Sequence, residues 1–293
     1  MLTSGTVSVS QMMAIARLAF EQGDIADAAT DARILIGGLL NLSTTELLTR
    51  SDRVLEDSEI MLVEAAIQRR VQREPVHRIL GRREFFGIDL ELSPATLEPR
   101  PDTEILVDRI LHHLRQIVAK KGSARILDLG TGTGAIGLSL LHECPQAEAV
   151  LCDISSDALI VAQRNAERNE LAARVHTVKS DWYQQVSGQF DIIVSNPPYI
   201  VRNVISSLAQ EVIGFDPILA LDGGVDGLDA YRTIAAGAAP YLLEGGMVAV
   251  EIGYDQRESV CLIFTSCGYV LHEAARDYGG NDRVLVFARD AAV

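Results

Sequence analysis

The spacing of hydrophobic residues changes character along this chain, and the changes mark out its parts. Up to about residue 76 the apolar positions recur at helical intervals. Ser10 is placed to cap a first helix reaching Phe20, with Met13, Ala16, Leu18 and Phe20 loosely periodic, and Gly23 ends it. Asp24 is placed to cap a second helix that runs to about Leu40. Ser43-Thr44-Thr45-Glu46 has the form of a capping box, in which serine and glutamate satisfy each other's free amides. An amphipathic helix follows from about 56 to 73, and Pro75 stops it. These residues predict a small helical bundle that carries no catalytic group and serves substrate recognition or packing.

After Gly87 the residues Ile88-Asp89-Leu90-Glu91-Leu92 alternate apolar and acidic, the signature of a hairpin. Pro94, Pro99 and Pro101 then mark an irregular linker, and a helix is expected from about 102 to 120, ended by Gly122. Beyond Gly122 strands alternate with helices. Strands are predicted at 125–129, 149–152, 175–178, 190–194, 247–252, 269–272 and 284–287, and helices at 135–142, 156–170 and 228–242. This alternation predicts an α/β fold, a mostly parallel sheet with helices on both faces. The last two strands are joined by a short turn containing Gly279, Gly280 and Asn281, so they pair antiparallel. The expected domains are an N-terminal helical one over 1–76, a hairpin and linker over 77–101, and a catalytic domain over 102–293.

Composition narrows the class. With 293 residues and 48% hydrophobic residues, the chain can bury one large core or two smaller ones. The longest apolar stretch near the N-terminus, Ile34 to Leu42, is interrupted by Gly37, Gly38 and Asn41 and falls short of the ~20 residues of a membrane helix. No secretory signal pattern precedes it, and a cytoplasmic protein without membrane partners is expected. Four cysteines without a C-x-x-C pair predict reduced thiols and no bound metal. The formal net charge of −14 opposes a nucleic-acid backbone, so direct DNA binding is not expected. Arg69, Arg70, Arg73, Arg78, Arg82 and Arg83 run against that balance, either as a solvated helix face and its following loop or as a docking patch for an acidic or RNA-bearing partner.

The chemistry lies at strand ends. Gly130-Thr131-Gly132-Thr133-Gly134 follows the first strand, where glycines admit a close ligand and the next helix supplies free amides. Asp153 follows the second strand and can accept from both ribose hydroxyls of an adenosine-containing cofactor, a feature of NAD and S-adenosylmethionine sites alike. Asp181 and Trp182 follow the third, placed to accept from an adenine amine and to cover the base. Asn196-Pro197-Pro198-Tyr199 follows the fourth. The Asn196 side-chain oxygen and the Pro197 carbonyl are two adjacent acceptors, suited to a planar NH2 group, and Tyr199 offers a ring to stack on that plane. A dehydrogenase would share the glycine loop and Asp153 but would leave this motif without a role.

With these residues placed, the chain resembles the class I S-adenosylmethionine methyltransferases, and more closely the release-factor glutamine methyltransferase family of HemK/PrmC type. The resemblance covers nearly the whole chain. It rests on Asp128 to Gly134, on Asn196-Pro197-Pro198-Tyr199-Ile200, on the linker Glu98-Pro99-Arg100-Pro101-Asp102-Thr103-Glu104, and on Ala220-Leu221-Asp222-Gly223-Gly224 with Asp226-Gly227-Leu228. Leu80-Gly81 and Glu84-Phe85-Phe86-Gly87 also fit. His77-Arg78, where relatives carry an aromatic, and Phe215-Asp216-Pro217, where glutamate is usual before the proline, depart from the pattern.

The resemblance implies a Rossmann-like seven-stranded sheet with an antiparallel last strand, S-adenosylmethionine as cofactor, and S-adenosylhomocysteine as product. It implies as substrate the glutamine side-chain amide (N5) of the Gly-Gly-Gln motif in class 1 peptide-chain release factors. Asn196, Pro197 and Tyr199 become the expected catalytic residues, with Pro198 at the substrate. Gly130, Thr131, Gly132, Thr133, Gly134, Asp153, Asp181, Trp182 and Asn196 are then expected at the cofactor. Because N-P-P-Y is shared with adenine methyltransferases, N6-adenine methylation of RNA or DNA is the alternative.

Overall fold

The computed structural model describes residues 6–289, which form two compact units. One runs through Arg82 and includes 209–215; the other comprises 83–208 and the residues from Asp216 onward. The division therefore falls after Arg82, so the hairpin and the proline linker belong to the second unit.

In the first unit the chain forms α1 (Val9–Gln22), α2 (Ala28–Leu40), α3 (Thr44–Thr49), α4 (Asp57–Val71) and α5 (Val76–Leu80). Ser8, rather than Ser10, caps α1: its side chain accepts from the Gln11 amide, and Gln11 returns the bond to the Ser8 amide. The earlier start adds Val9 to the buried stripe of Met12, Ala16 and Phe20. Asp24 takes a left-handed φ of 53° and lies outside α2, whose N-cap is Asp27. Ser43 and Glu46 form the capping box at α3. Met12, Phe20, Leu35, Ile36, Val63 and Ile67 pack into this unit's own core.

The basic segment is largely neutralised inside the chain. The buried Arg70 donates from Nε to Asp31 at 2.7 Å and also meets Glu211. Arg73 pairs with Glu211, Arg69 with Glu74, and Arg83 with Glu98. These pairings favour a structural role for the segment over a docking patch.

The second unit opens with the hairpin β1 (Arg82–Phe85) and β2 (Ile88–Glu91), then α6 (Thr103–Lys121). The α/β layer follows: β3 (Ala124–Leu129), α7 (Ala135–Glu143), β4 (Ala147–Asp153), α8 (Ser156–Arg168), β5 (Val175–Lys179) and β6 (Phe190–Ser195). The short α9 (Gln210–Phe215) belongs to the first unit, and after it the second unit continues with α10 (Asp229–Gly237), β7 (Leu242–Glu251), α11 (Arg257–Ser266), β8 (Tyr269–Arg276) and β9 (Asp282–Arg289). The helix expected to reach Leu242 stops at Gly237, because Pro240 cannot continue it and Leu242 already enters β7. The hydrophobic pattern did not announce α11, since only Val260 and Phe264 are buried along it.

The seven strands stand in the order β5-β4-β3-β6-β7-β9-β8. The first five are parallel, and β9 is antiparallel to both neighbours. Two apolar cores cover the sheet. One gathers Ile110, Leu138 and Ala162 from α6, α7 and α8, and the other Tyr231, Ile234 and Phe264 from α10 and α11. The wholly buried Asn165 on α8 ties this layer to the hairpin. Its amide donates to Glu91 O and Thr133 O and accepts from Glu91 N at 2.7 Å. Asn165→Ala leaves those backbone groups without partners and is expected to cost about 2 kcal/mol, measured by urea unfolding.

Candidate active site

The functional side chains gather at the carboxyl edge of the sheet, beside the switch point between β3 and β6. From there the chain builds outward through β4 and β5 on one side and β7 on the other, the place where open α/β sheets receive ligands. Ser195 clasps the switch point by donating to Leu129 O at 2.7 Å.

The loop from β3 to α7 turns on glycine. Gly130 and Gly132 have φ of 69° and 56°, which side chains seldom adopt, and nothing lies within 4 Å of where their Cβ atoms would stand. The loop thus presents backbone to open space. Asp128 braces it from below, accepting from Thr131 Oγ1 at 2.7 Å and from Gly137 N at 3.0 Å. Burial pushes the Asp128 carboxyl up to about 6, against the opposing pull of these two bonds.

The folded state therefore holds the Asp128 proton more tightly than the unfolded chain does. This contribution to stability is complete below pH ~4 and is lost as pH rises through about 6. Asp128→Asn should remove this slope, worth roughly 2 to 3 kcal/mol between pH 4 and 8, which denaturant titrations at both pH values would read.

Asp153 ends β4. Its Oδ2 accepts from Gly132 N and its Oδ1 from Ser155 N, each at 2.9 Å. Each oxygen keeps a further lone pair for a ligand. Burial raises its pKa. Asp181 lies exposed at the rim, accepting from Gln184 Nε2 at 2.7 Å. Trp182 holds a left-handed φ of 49°, a conformation that costs roughly 1–3 kcal/mol for a bulky residue and is concentrated at functional sites. It packs partly buried against the second core, and its carbonyl accepts from Cys152 Sγ.

These residues surround one cleft of about 440 Å³, lined by Gly130, Thr131, Gly132, Thr133, Asp153, Asp181, Trp182, Asn196 and Pro198. Gly134, Pro197 and Tyr199 do not line it. Gly134 precedes α7, and a Cβ there would lie 2.8 Å from the Leu138 side chain. Pro197 is buried, and Tyr199 packs half-buried against the second core, its phenol pushed up to about 12 chiefly by burial.

Other site residues become visible only in three dimensions. Leu97, Pro99 and Thr103 line the cleft from the linker and the start of α6, and Asp222 and Asp229 from beyond β6. The unusual proline run was the one sequence signal for the first group. Gln256 holds the turn of Asn196 to Tyr199 from behind. Its Nε2 donates to Tyr199 O and Gly227 O, and its Oε1 accepts from Gly253 N and Tyr231 Oη. Gly223 lies so close that a Cβ would stand 2.8 Å from Tyr199 Cα, which excludes any side chain. Asp216, at the position where relatives carry glutamate, still reaches the linker. It accepts from Arg100 Nη2 at 2.7 Å and from Glu98 N at 3.3 Å.

Known proteins agree with this construction. Residues 103–215 match the methyltransferase small domain and residues 11–81 the PrmC N-terminal domain. Among solved structures, a methyltransferase from Pyrococcus furiosus superposes with a TM-score of 0.53 at 21% identity, over 75% of this chain and 96% of that one. The hMettl16 catalytic domain in complex with the MAT2A 3′UTR hairpin 6 gives 0.54 at 15%, over 81% and 84%. The fold and the matched domains define an S-adenosylmethionine-dependent class I methyltransferase.

The chain is 53% identical to the release factor glutamine methyltransferase of Agrobacterium fabrum, over 97% of its own length and 99% of that protein. It is 43% identical to that of Bradyrhizobium diazoefficiens, over 97% and 95%. It belongs to the release factor glutamine methyltransferase family.

Proposed function

We propose that this enzyme transfers a methyl group from S-adenosylmethionine to the side-chain amide nitrogen of the glutamine in the Gly-Gly-Gln motif of class 1 peptide-chain release factors. The observation that carries the reading is the shared wall: Asn196 borders the same cleft as the glycine loop and Asp153. An acceptor for a planar NH2 group thus adjoins a site suited to an adenosine cofactor.

The cleft fits that cofactor on its own features. Open space beside Gly130 and Gly132 admits a ligand against the backbone, and the Asp153 oxygens retain lone pairs for ribose hydroxyls. Asp181 at the rim and Trp182 would meet the base. When bound, S-adenosylmethionine supplies an electrophilic methyl on a sulfonium.

The protein's contribution is orientation. An amide nitrogen is a poor nucleophile because its lone pair is shared with the carbonyl. In this reading the Asn196 side-chain oxygen at the cleft wall takes one of its hydrogens and Pro198 shapes the turn, while the Pro197 carbonyl and the Tyr199 ring, which do not line the cleft itself, would take the second hydrogen and pack on the amide plane. Positioning of this kind can contribute roughly 7–11 kcal/mol. The Tyr199 phenol, raised to about 12, stays protonated at neutral pH and does not act as a base; the proton displaced from the methylated nitrogen passes to water.

In this reading the helical residues 1–76, with the hairpin and linker over 77–101, recognise the release factor, and 102–293 carry the chemistry. The enzyme would work in the cytoplasm, where its substrates act. Among the described residues no helix is long and apolar enough to cross a membrane.

The test is methyl transfer from labelled S-adenosylmethionine to a purified class 1 release factor in Gly-Gly-Gln and Gly-Gly-Ala forms. Label on the first form alone establishes substrate and target. Label on neither, with the cofactor still bound, removes the glutamine reading.

A further inference from the structure

An asparagine can serve as a double acceptor's partner only if its oxygen, and not its NH2, faces the substrate. The two ends of the side-chain amide have nearly the same shape, so something must select between them. In this structure the Asn196 NH2 is engaged on the side of α6, donating to Thr103 Oγ1 at 3.2 Å. Thr103 is the first residue of α6, and it is buried. Ser195 pairs with Val250 across the sheet, so the buried Glu251, the last residue of β7 and only 1% exposed, follows on the strand beside Asn196, and the Thr103 and Asn196 side chains pull its carboxyl down against the effect of burial.

We propose that Glu251 is a positioning residue which, together with Thr103, locks the Asn196 amide with its NH2 inward and its oxygen toward the substrate. The inference rests on the reading of Asn196 as the acceptor for the glutamine amide.

The direction of donation follows from the chemistry of the groups. An ionised carboxylate only accepts, so it takes a hydrogen from the Thr103 hydroxyl and one from the Asn196 NH2. The Thr103 oxygen then accepts the Asn196 hydrogen. A flipped amide would turn an oxygen toward two oxygens and an NH2 toward the NH2 of the substrate, unfavourable on both sides.

Stability does not account for the carboxylate. One of its oxygens, Oε2, is buried with no hydrogen-bond partner among the described residues, a costly state that native proteins keep where function requires it. The ionisable groups facing it are Asp102 at the start of α6, Arg283 on β9, Tyr199 after β6 and Tyr231 on α10. Burial, the largest influence, lifts the carboxyl to about 7, while Thr103, Arg283 and Asn196 pull it back. A protonated Glu251 can itself donate, and the lock is lost. The competent state is therefore populated above pH 7 and depleted below it.

The experiment has two readouts on the full-length protein. In the first, the Asn196 side-chain NH2 is followed by 15N–1H NMR, assigned by its disappearance in Asn196→Asp. The parent signal should titrate with a midpoint near pH 7, and Glu251→Gln should abolish the titration. In the second, methyl transfer to the release factor is measured. Glu251→Gln should lower kcat about tenfold or more at pH 8 and flatten its rise between pH 6 and 8. Its affinity for S-adenosylhomocysteine should stay within about threefold, and its Tm should hold or rise. Thr103→Ser should keep the parent rate and Thr103→Val should not.

An Asn196 amide indifferent to Glu251, or a Glu251→Gln variant with parent kcat and pH profile, overturns the proposal. So does a loss of rate that tracks an equal loss of Tm. If the parent fails to methylate the release factor while the Asn196 signal still titrates through Glu251, the substrate reading falls and the lock stands.

Discussion

Replacing Asn196 by alanine is expected to lower the rate of methyl transfer by about 10²-fold or more while cofactor affinity falls much less. In the proposed mechanism the side chain contributes one of two acceptors at the reacting centre, and alanine contributes none. The Pro197 carbonyl remains, so the amide can still bind through one hydrogen, but its plane is free to swing. A fixed acceptor removed from a reacting centre costs about 10² to 10³ in rate in other enzymes. The signature is a fall in kcat against a small change in the Kd of S-adenosylhomocysteine, measured by single-turnover transfer and by calorimetry. An unchanged rate would take Asn196 out of the mechanism.

Asp153→Ala should act on the other partner. Removing this carboxylate deprives Gly132 N and Ser155 N of their acceptor and leaves nothing at the end of β4 to receive ribose hydroxyls. Hydrogen bonds to a charged group are worth roughly 1.5–3 kcal/mol, so S-adenosylhomocysteine affinity should drop about 10²-fold. At saturating cofactor the rate should recover toward the parent value, because Asp153 does not form part of the amide grip. Loss of rate that saturation cannot restore would mean that the glycine loop itself has collapsed. Ligand protection against heat separates the cofactor classes as well: S-adenosylhomocysteine should raise Tm, and NADH should not.

In the proposed mechanism the two substitutions divide the cleft into a cofactor side and an amide side, and Gln256 holds the turn of the second from within. Gln256 secures the end of the Asn196 to Tyr199 turn through the Tyr199 carbonyl, whereas Thr103 engages the Asn196 side chain. Backbone and side chain of the motif are thus held by different elements, α11's N-cap residue and α6.

Much of this was legible in the sequence because it is local. Capping at Ser43, the stop at Gly122, the turn at Phe86-Gly87 and the alternation of strand and helix after Gly122 all depend on residues within a few positions of one another. Where local signals competed, the nearest plausible residue was not always the one used. Ser8 caps α1 in place of Ser10, and that earlier start brings Val9 into the helix on the buried stripe of Met12, Ala16 and Phe20. The glycine loop, Asp153, Trp182 and Asn196 could be read as a site since each follows a strand, and parallel strands deliver their carboxyl ends to one edge.

What the tertiary structure alone decided are pairings between distant residues. The sequence implies that β8 and β9 are antiparallel, but that β9 inserts between β7 and β8 is seen only in the pairing of Val248 with Phe287 and Val250 with Leu285. The arginines from 69 to 83 read as a basic run until Asp31, Glu211 and Glu98 are brought against them. Glu251 shows no motif at all and reads as the polar end of a buried strand. It stands beside Asn196 because β6 and β7 are paired neighbours, and α6 begins at Thr103, which accepts from the Asn196 side chain. Secondary structure has a period that a sequence can display, whereas a contact across the fold has none. The sequence therefore determined the elements and the strand-end residues that gather at one edge, and packing decided which buried groups stand beside them.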